Sequence, residues 1–328
     1  MKKTNLLIGL ITISIVLFFV ASGKAQTKVV KTDVEKNDLK GRVKSYTKVC
    51  YKAIDKLEKI QKGEIAYQET SLYNEKGYRK SYTIDGKKQK ECVYDGNGNK
   101  LEEFNYLSGE LFSRHFYKYD NKGNQFEERA YRPDSSLEWV TVNTFDDKGN
   151  EIEAITHNSD GSLNDKTTIT YDEKGNELES KSVDADGKVS FTESAKYDNK
   201  GNKIEYYIGN NWKYLYKYND KGIMTERIET SYIWKYSSKN KYDEKGNVIE
   251  VLTYDKDGIM DQKSTYKYDE MGSQVEWDFS KYYPDGKLKE ETVYKHSFIY
   301  DNIGNCIKET TSANGIVTGI IENEITYY

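Results

Sequence analysis

Histidine, cysteine, the carboxylates and the large aromatics are the residue types here that could do chemistry, and their spacing decides how far each reading carries. His115, His157 and His296 fall at what read as unrelated places in the chain, with no partner at ligand spacing, which points to incidental strand residues. Cys50, Cys92 and Cys306 form an odd set without metal spacing; in an oxidising compartment the first two could pair. No Gly-x-Ser-x-Gly, His-Glu-x-x-His or phosphate-binding Gly-rich loop is present. A column of glutamates (Glu102, Glu127, Glu153, Glu179, Glu205, Glu250, Glu276) could in principle supply a glycosidase pair, but a repeated Glu column opposite lysines is what a solvated strand face needs. Acidic turns such as "VDADGK" lack the alternating ligands and distal Glu of an EF-type loop, so turn formation is the better reading and no metal or cofactor is expected.

The aromatics are more suggestive. Trp139, Trp212, Trp234 and Trp277 are scattered singly, and "YYIGNNWKYLYKY" followed by "TSYIWKYSSKNKY" is the most aromatic stretch of the chain. Tyr206, Tyr207, Trp212, Tyr214, Tyr232 and Trp234 could present flat faces to sugar rings or to a peptide edge; the competing reading is that they only fill space where the pattern shortens.

The elements that must carry these residues come from a repeat. Tyr73, Tyr94, Tyr119, Phe145, Tyr171, Tyr197, Tyr218, Tyr242, Tyr268 and Tyr300 are each followed by Gly four residues on, at intervals of 21 to 32 residues. A second Gly-bearing turn, such as Asp160-Gly161 or Asp186-Gly187, sits halfway through most units, so each unit reads as a β-hairpin. Tyr214, Tyr216 and Tyr218 alternate with Leu215 and Lys217, the period of a strand. An apolar residue three after the turn Gly (Leu101, Phe126, Ile152, Leu178, Ile204, Ile249, Val275, Ile307) precedes the Glu column, so those two columns face opposite ways. Burial of Tyr with the apolar column then calls for an even, four-residue loop, with the Asp carboxylate capping amides and Gly in the left-handed region: Asp120 and Gly123, Asp172 and Gly175, Asp198 and Gly201, Asp243 and Gly246.

Open twisted sheets rarely exceed about ten strands, so about twenty strands must curl. The expected fold is all-β: about ten antiparallel hairpin units coiled into an open spiral or a curved elongated sheet, lined by Tyr and Ile. Residues 1–25 read as a signal peptide, with Lys2 and Lys3, an apolar run from Leu6 to Val20, and small Gly23 and Ala25 before the cut. The run is shorter than the roughly 20 residues of a spanning helix, which favours cleavage over an anchor. Residues 26–38 are polar and expected to be flexible, 39–72 read as a capping hairpin, and 73–328 as the repeat array. The mature chain has 47 basic and 54 acidic side chains, a poor footprint for nucleic acid. Leu, Ile, Val and Phe make up only 56 of its 303 residues, and 30 tyrosines supply the missing apolar area.

The Tyr-Asp-x-x-Gly-Asn anchor, as in Tyr171 to Asn176, resembles the Rhs/YD-repeat family, over about residues 73 to 310. The resemblance implies a β-ribbon that spirals into a shell, with carbohydrate binding often proposed for the repeats. This chain carries Asn99, Asn124, Asn150, Asn176, Asn202, Asn247 and Asn305 where the family usually has Arg, and no core or toxin segment follows Tyr300. The expected function is a non-enzymatic binding or scaffold module, exported to the periplasm, cell surface or medium, with a glycan or an envelope or secreted protein as partner and no membrane segment after cleavage. An envelope polysaccharide-acting enzyme using paired carboxylates, or an immunity or inhibitor protein, are the alternatives.

Overall fold

The computed structural model describes residues 31–56, 59–233 and 235–328. The expected signal peptide and Trp234 lie outside the described residues.

Twenty-two strands are present among the described residues, and each pairs antiparallel with the next in sequence. The first strand, Val43–Lys56, also pairs with the last, Ile316–Tyr327, through Val49↔Glu322, Cys50↔Ile321 and Tyr51↔Ile320. The sheet therefore closes into an up-and-down β-barrel, correcting the expected open spiral or curved sheet. Closure removes both free edges, whose unpaired N–H and C=O groups an open spiral would leave available to other chains. At about 4.8 Å between strands and a tilt near 40°, twenty-two strands make a perimeter of roughly 140 Å, which encloses a lumen rather than a side-chain-filled core. The buried hydrophobic residues are correspondingly few: Val34, Val43, Cys50, Tyr73, Cys92, Ala130, Ala195 and Ile320 among the described residues.

The hairpin of Val43–Lys56 and Lys59–Tyr73 supplies the closing strand. Residues 32–42, expected to belong largely to a flexible lead-in, latch the seam. A one-turn helix, Asp33–Lys36, starts from a capping box in which Thr32 accepts from the Glu35 amide and Glu35 reaches back to the Thr32 amide. Asp33 accepts from the Arg79 amide at 2.7 Å, and the Val34 amide donates to the Gly77 carbonyl at 3.0 Å, in the first repeat. Seven residues further, the Lys40 peptide exchanges two hydrogen bonds with the side chain of Asn305 in the last repeat, at 2.7 and 2.9 Å. Val34, Val43 and Tyr73 pack beneath this strap with Leu39, Tyr46, Ile325 and Tyr327, the one apolar cluster of the barrel among the described residues.

The turns explain the register. In the unit beginning at Tyr171, the Gly175 amide donates to the Asp172 carbonyl at 3.0 Å and the Asp172 amide to the Asn176 carbonyl at 2.9 Å. Gly175 has φ +84°, a conformation that favours glycine. The Asp172 carboxylate accepts from the amides of Lys174 and Asn176 and from the Asn176 side chain, at 2.8 to 2.9 Å. The same network recurs at Asp120 and Asn124, Asp198 and Asn202, and Asp243 and Asn247. The loop is thus three residues closed by an Asp–Asn pair, not the expected four. Parity is restored by a β-bulge. Tyr171 pairs with Glu177 and Thr170 with Glu179, so Leu178 is the extra residue. The apolar column occupies this bulge in unit after unit, and Leu101, Ile152, Leu178 and Ile249 are 36–39% exposed rather than buried.

The Tyr face is the more shielded one, with Tyr119, Tyr197 and Tyr218 half-buried where Lys118, Lys196 and Lys217 are exposed, and we assign it to the interior because side chains converge on the concave side of a closed sheet. Tyr119, Tyr171, Tyr197, Tyr218 and Tyr268 each donate to the carbonyl of the residue after the preceding unit's turn, at 2.8 to 2.9 Å. Burial pushes the hydroxyls of Tyr171, Tyr197, Tyr218 and Tyr268 up to about 12. Phe145 has no hydroxyl, and Asn143, two residues earlier on the same face, donates to the Gln125 carbonyl at 3.1 Å in its place. The opposite face carries cross-strand ion pairs, among them Lys118–Glu127, Lys217–Glu226–Lys239 and Lys241–Glu250–Lys263. No helix among the described residues is long and apolar enough to cross a membrane, which says nothing of a barrel.

Cys50 and Cys92 are free. They stand on the first and fourth strands, about 14 Å apart by strand spacing, so the pairing considered from sequence is excluded.

Candidate functional site

Four strands, Lys203–Ile208, Trp212–Tyr218, Met224–Ser231 and Tyr236–Tyr242, place the most concentrated aromatic surface on the interior face. Tyr206 pairs directly with Tyr214, their rings 5.8 Å apart. Trp212, Tyr214 and Tyr216 alternate along one strand, so their rings stack in series, 6.3 and 6.4 Å between centroids and within 13° of parallel. Tyr236 meets Trp212 edge-on at 6.0 Å, from two strands away.

Charges frame this surface. Arg227 lies over the Tyr214 ring at 5.4 Å, and Lys203 over Tyr206 at 4.4 Å. Glu229 accepts from Arg227 and from the Tyr236 hydroxyl. Burial opposes the Arg227 charge but Glu229 outweighs it and holds the guanidinium up, whereas burial pulls the Lys203 ammonium down. Arg227 Nε and, on the strand directly beside it, Asn240 Oδ1 are buried with no hydrogen-bond partner. Both atoms are enclosed; the polar groups at the margin of the rings are the Arg227 guanidinium, the Lys203 ammonium and the Glu229 carboxylate.

Of the residues expected to bind, Tyr206, Trp212 and Tyr214 are brought together. Tyr207 points to the other face, where it donates to Glu205 at 2.9 Å. Tyr232 lies in the following turn, 56% exposed. Tyr216, Tyr236, Arg227 and Asn240 were missed; the alternation in "YLYKY" could have found Tyr216, but the others need the register of separate strands. A second aromatic group was also missed, in which Trp277 stacks on Tyr294 at 4.7 Å and on Tyr266 at 6.2 Å.

Two of the three histidines are related. His115 and His296 occupy one repeat position, and each Nδ1 meets a glutamate thirteen residues on: Glu128 at 2.9 Å and Glu309 at 2.8 Å. Lys90 with Glu103, at 2.7 Å, fills the same position in a third unit. A fixed offset of thirteen was readable from sequence once the register was known. No group of three or more metal-ligating side chains occurs among the described residues.

No family model and no curated protein matches this chain. Among solved structures it is similar to a Tc holotoxin pore of Photorhabdus luminescens, at 15% identity over 78% of this chain and 14% of that one, TM-score 0.42. A TcdB2–TccC3 structure without its hypervariable C-terminal region aligns at 14% identity over 77% and 14%, TM-score 0.43. A porin-like protein from Bacteroides uniformis aligns at 12% identity over 87% and 96%, TM-score 0.28. The chain spans about a seventh of the toxin chains. Likenesses this loose carry no argument; the barrel rests on the strand register.

Proposed function

We propose that this is an exported carbohydrate-binding barrel of the cell envelope, a short relative of the YD-repeat proteins, that takes a sugar ring against Trp212, Tyr214 and Tyr216. The observation that carries the reading is the near-parallel series of Trp212, Tyr214 and Tyr216, with Tyr206 across from Tyr214 and Arg227 and Lys203 at its margins. Sugars need both an apolar face for their C–H surfaces and paired hydrogen-bonding groups for their hydroxyls, and this surface offers both. The lead-in at residues 1–25 supports export.

The test is a broad glycan array probed with the purified mature chain, alongside a Trp212→Ala/Tyr214→Ala double variant. Saturable binding weakened roughly 10- to 100-fold by the double change supports the reading. Silence across the array, or binding that survives both changes, rejects it and moves the weight to a protein partner.

A further inference from the structure

On the opposite part of the repeat array, four side chains of the interior face form one directional hydrogen-bond chain. Ser113 and His115 lie two residues apart on the strand Glu110–Tyr119 and so share a face. Asn105, cross-strand from Ser113, donates from Nδ2 to Ser113 Oγ at 3.2 Å. Ser113 Oγ stands 3.1 Å from His115 Nε2, and His115 Nδ1 stands 2.9 Å from Glu128 Oε1 on the next strand.

The directions follow from what each group can do. An ionised carboxylate only accepts, so Nδ1 carries the hydrogen and Nε2 of the neutral ring is the acceptor. Since Asn105 donates to Oγ, the serine hydroxyl is left to donate to Nε2. Glu103 stands directly opposite His115 on the preceding strand, but its two oxygens are taken by Lys90 and Lys100 at 2.7 and 2.6 Å. The Trp139 ring meets the imidazole edge-on at 5.7 Å and restricts its swing. Other hydroxyls on this face, such as Thr141 with Thr156 at 3.0 Å, only tie neighbouring strands. Ser113 differs in that its proton is directed along a chain that ends in a carboxylate.

We infer that Ser113, His115 and Glu128 form a nucleophilic site that hydrolyses carboxylic esters, a second activity independent of the aromatic surface. Ser113 Oγ attacks the ester carbonyl carbon while His115 Nε2 takes its proton. The Oγ–C bond forms, the C–O bond to the alcohol breaks, and the alcohol leaves with the proton from Nε2. Water then attacks the acyl group on Ser113 and gives its proton to Nε2; the acid leaves and the serine recovers its hydrogen. The Asn105 Nδ2 hydrogen not given to Ser113 Oγ is the donor available to the carbonyl oxygen as it gains charge. Glu128 is a positioning residue that holds the imidazole tautomer.

The experiment treats the purified mature chain with a fluorophosphonate probe, followed by intact mass and peptide mapping, with circular dichroism on every variant. One adduct per chain on Ser113 is expected, absent in Ser113→Ala and formed about 100-fold more slowly in His115→Gln. His296→Gln should label at the parent rate, and Glu128→Asp should retain more reactivity than Glu128→Gln. p-Nitrophenyl acetate hydrolysis should fall in step with labelling. Absence of an adduct on Ser113 of the folded parent chain at saturating probe overturns the inference whatever the variants do, as does an unchanged rate in a folded His115→Gln.

Discussion

Lys90, His115 and His296 occupy one repeat position in three units, each facing a glutamate thirteen residues on, yet the three surroundings differ. Around Lys90 the glutamate, Glu103, is shared with Lys100 and nearly buried. Around His115 the residue two earlier is Ser113, and a polar chain forms. Around His296 the residue two earlier is Tyr294, which stacks on Trp277. The comparison teaches that the repeat sets where side chains meet, while the choice of residue on the interior face sets what they do. One geometry thus holds an ion cluster, a candidate nucleophile and an aromatic stack.

The largest effect expected from breaking this comparison is at Glu103. Burial alone would raise its carboxyl, but hydrogen bonds from Lys100 and Lys90 overcome that and hold it down to about 2. Glu103→Gln leaves two lysines facing an uncharged amide, and thermal unfolding should show a loss of about 3 kcal/mol or more. Because the folded value lies below the ordinary one, the stabilisation is complete above about pH 4.5 and fades as pH falls toward 2. The parent should therefore lose stability in that window more steeply than Glu103→Gln; parallel pH profiles for the two would contradict the assignment.

His115→Gln and His296→Gln sharpen the comparison next. Each breaks one hydrogen bond to a carboxylate, which should cost about 1 to 2 kcal/mol in chemical denaturation, and His115→Gln should cost about 0.5 to 1 kcal/mol more because Ser113 also loses its acceptor. Equal costs for the two would mean that the Ser113–His115 bond contributes nothing to the fold.

The anchor hydroxyls give a smaller effect. Tyr171→Phe should cost about 1 kcal/mol, whereas Phe145→Tyr should gain nothing, because Asn143 already serves the Gln125 carbonyl. Asn143→Ala should then behave like Tyr171→Phe in the same unfolding assay. Least of all, Lys217→Ala on the outer face should change stability by no more than about 0.5 kcal/mol, since Lys239 still pairs with Glu226 and the exposed lysine is screened. A loss comparable to that at Glu103 would mean that the outer face is less solvated than its ion pairs indicate.

Much of the local structure was legible in advance. Tyr214, Tyr216 and Tyr218 announce a strand by their spacing, and Asp172 to Asn176 announce a turn because only a few residue types tolerate its backbone. The candidate sites were legible in part. Trp212 and Tyr214 were found because they share a strand, while Tyr236, Arg227 and Asn240 join them only across strands. Ser113 and His115 stood in plain view as Ser-x-His, but Glu128 becomes their partner only through the bulge-shifted register between two strands.

What the sequence determined by itself is therefore what strand period and turn stereochemistry dictate within a few residues: the strands, the Gly-bearing turns between them and their recurrence. What only the tertiary structure decided is the bulge at the apolar column, the pairing of Val49 with Glu322 and the closed ring that follows. Closure depends on twist and tilt summed over twenty-two strands and on a strap that ties Gly77 to Asn305 across the seam. Such sums have no signature in any single unit, because each hairpin is satisfied equally well in an open array.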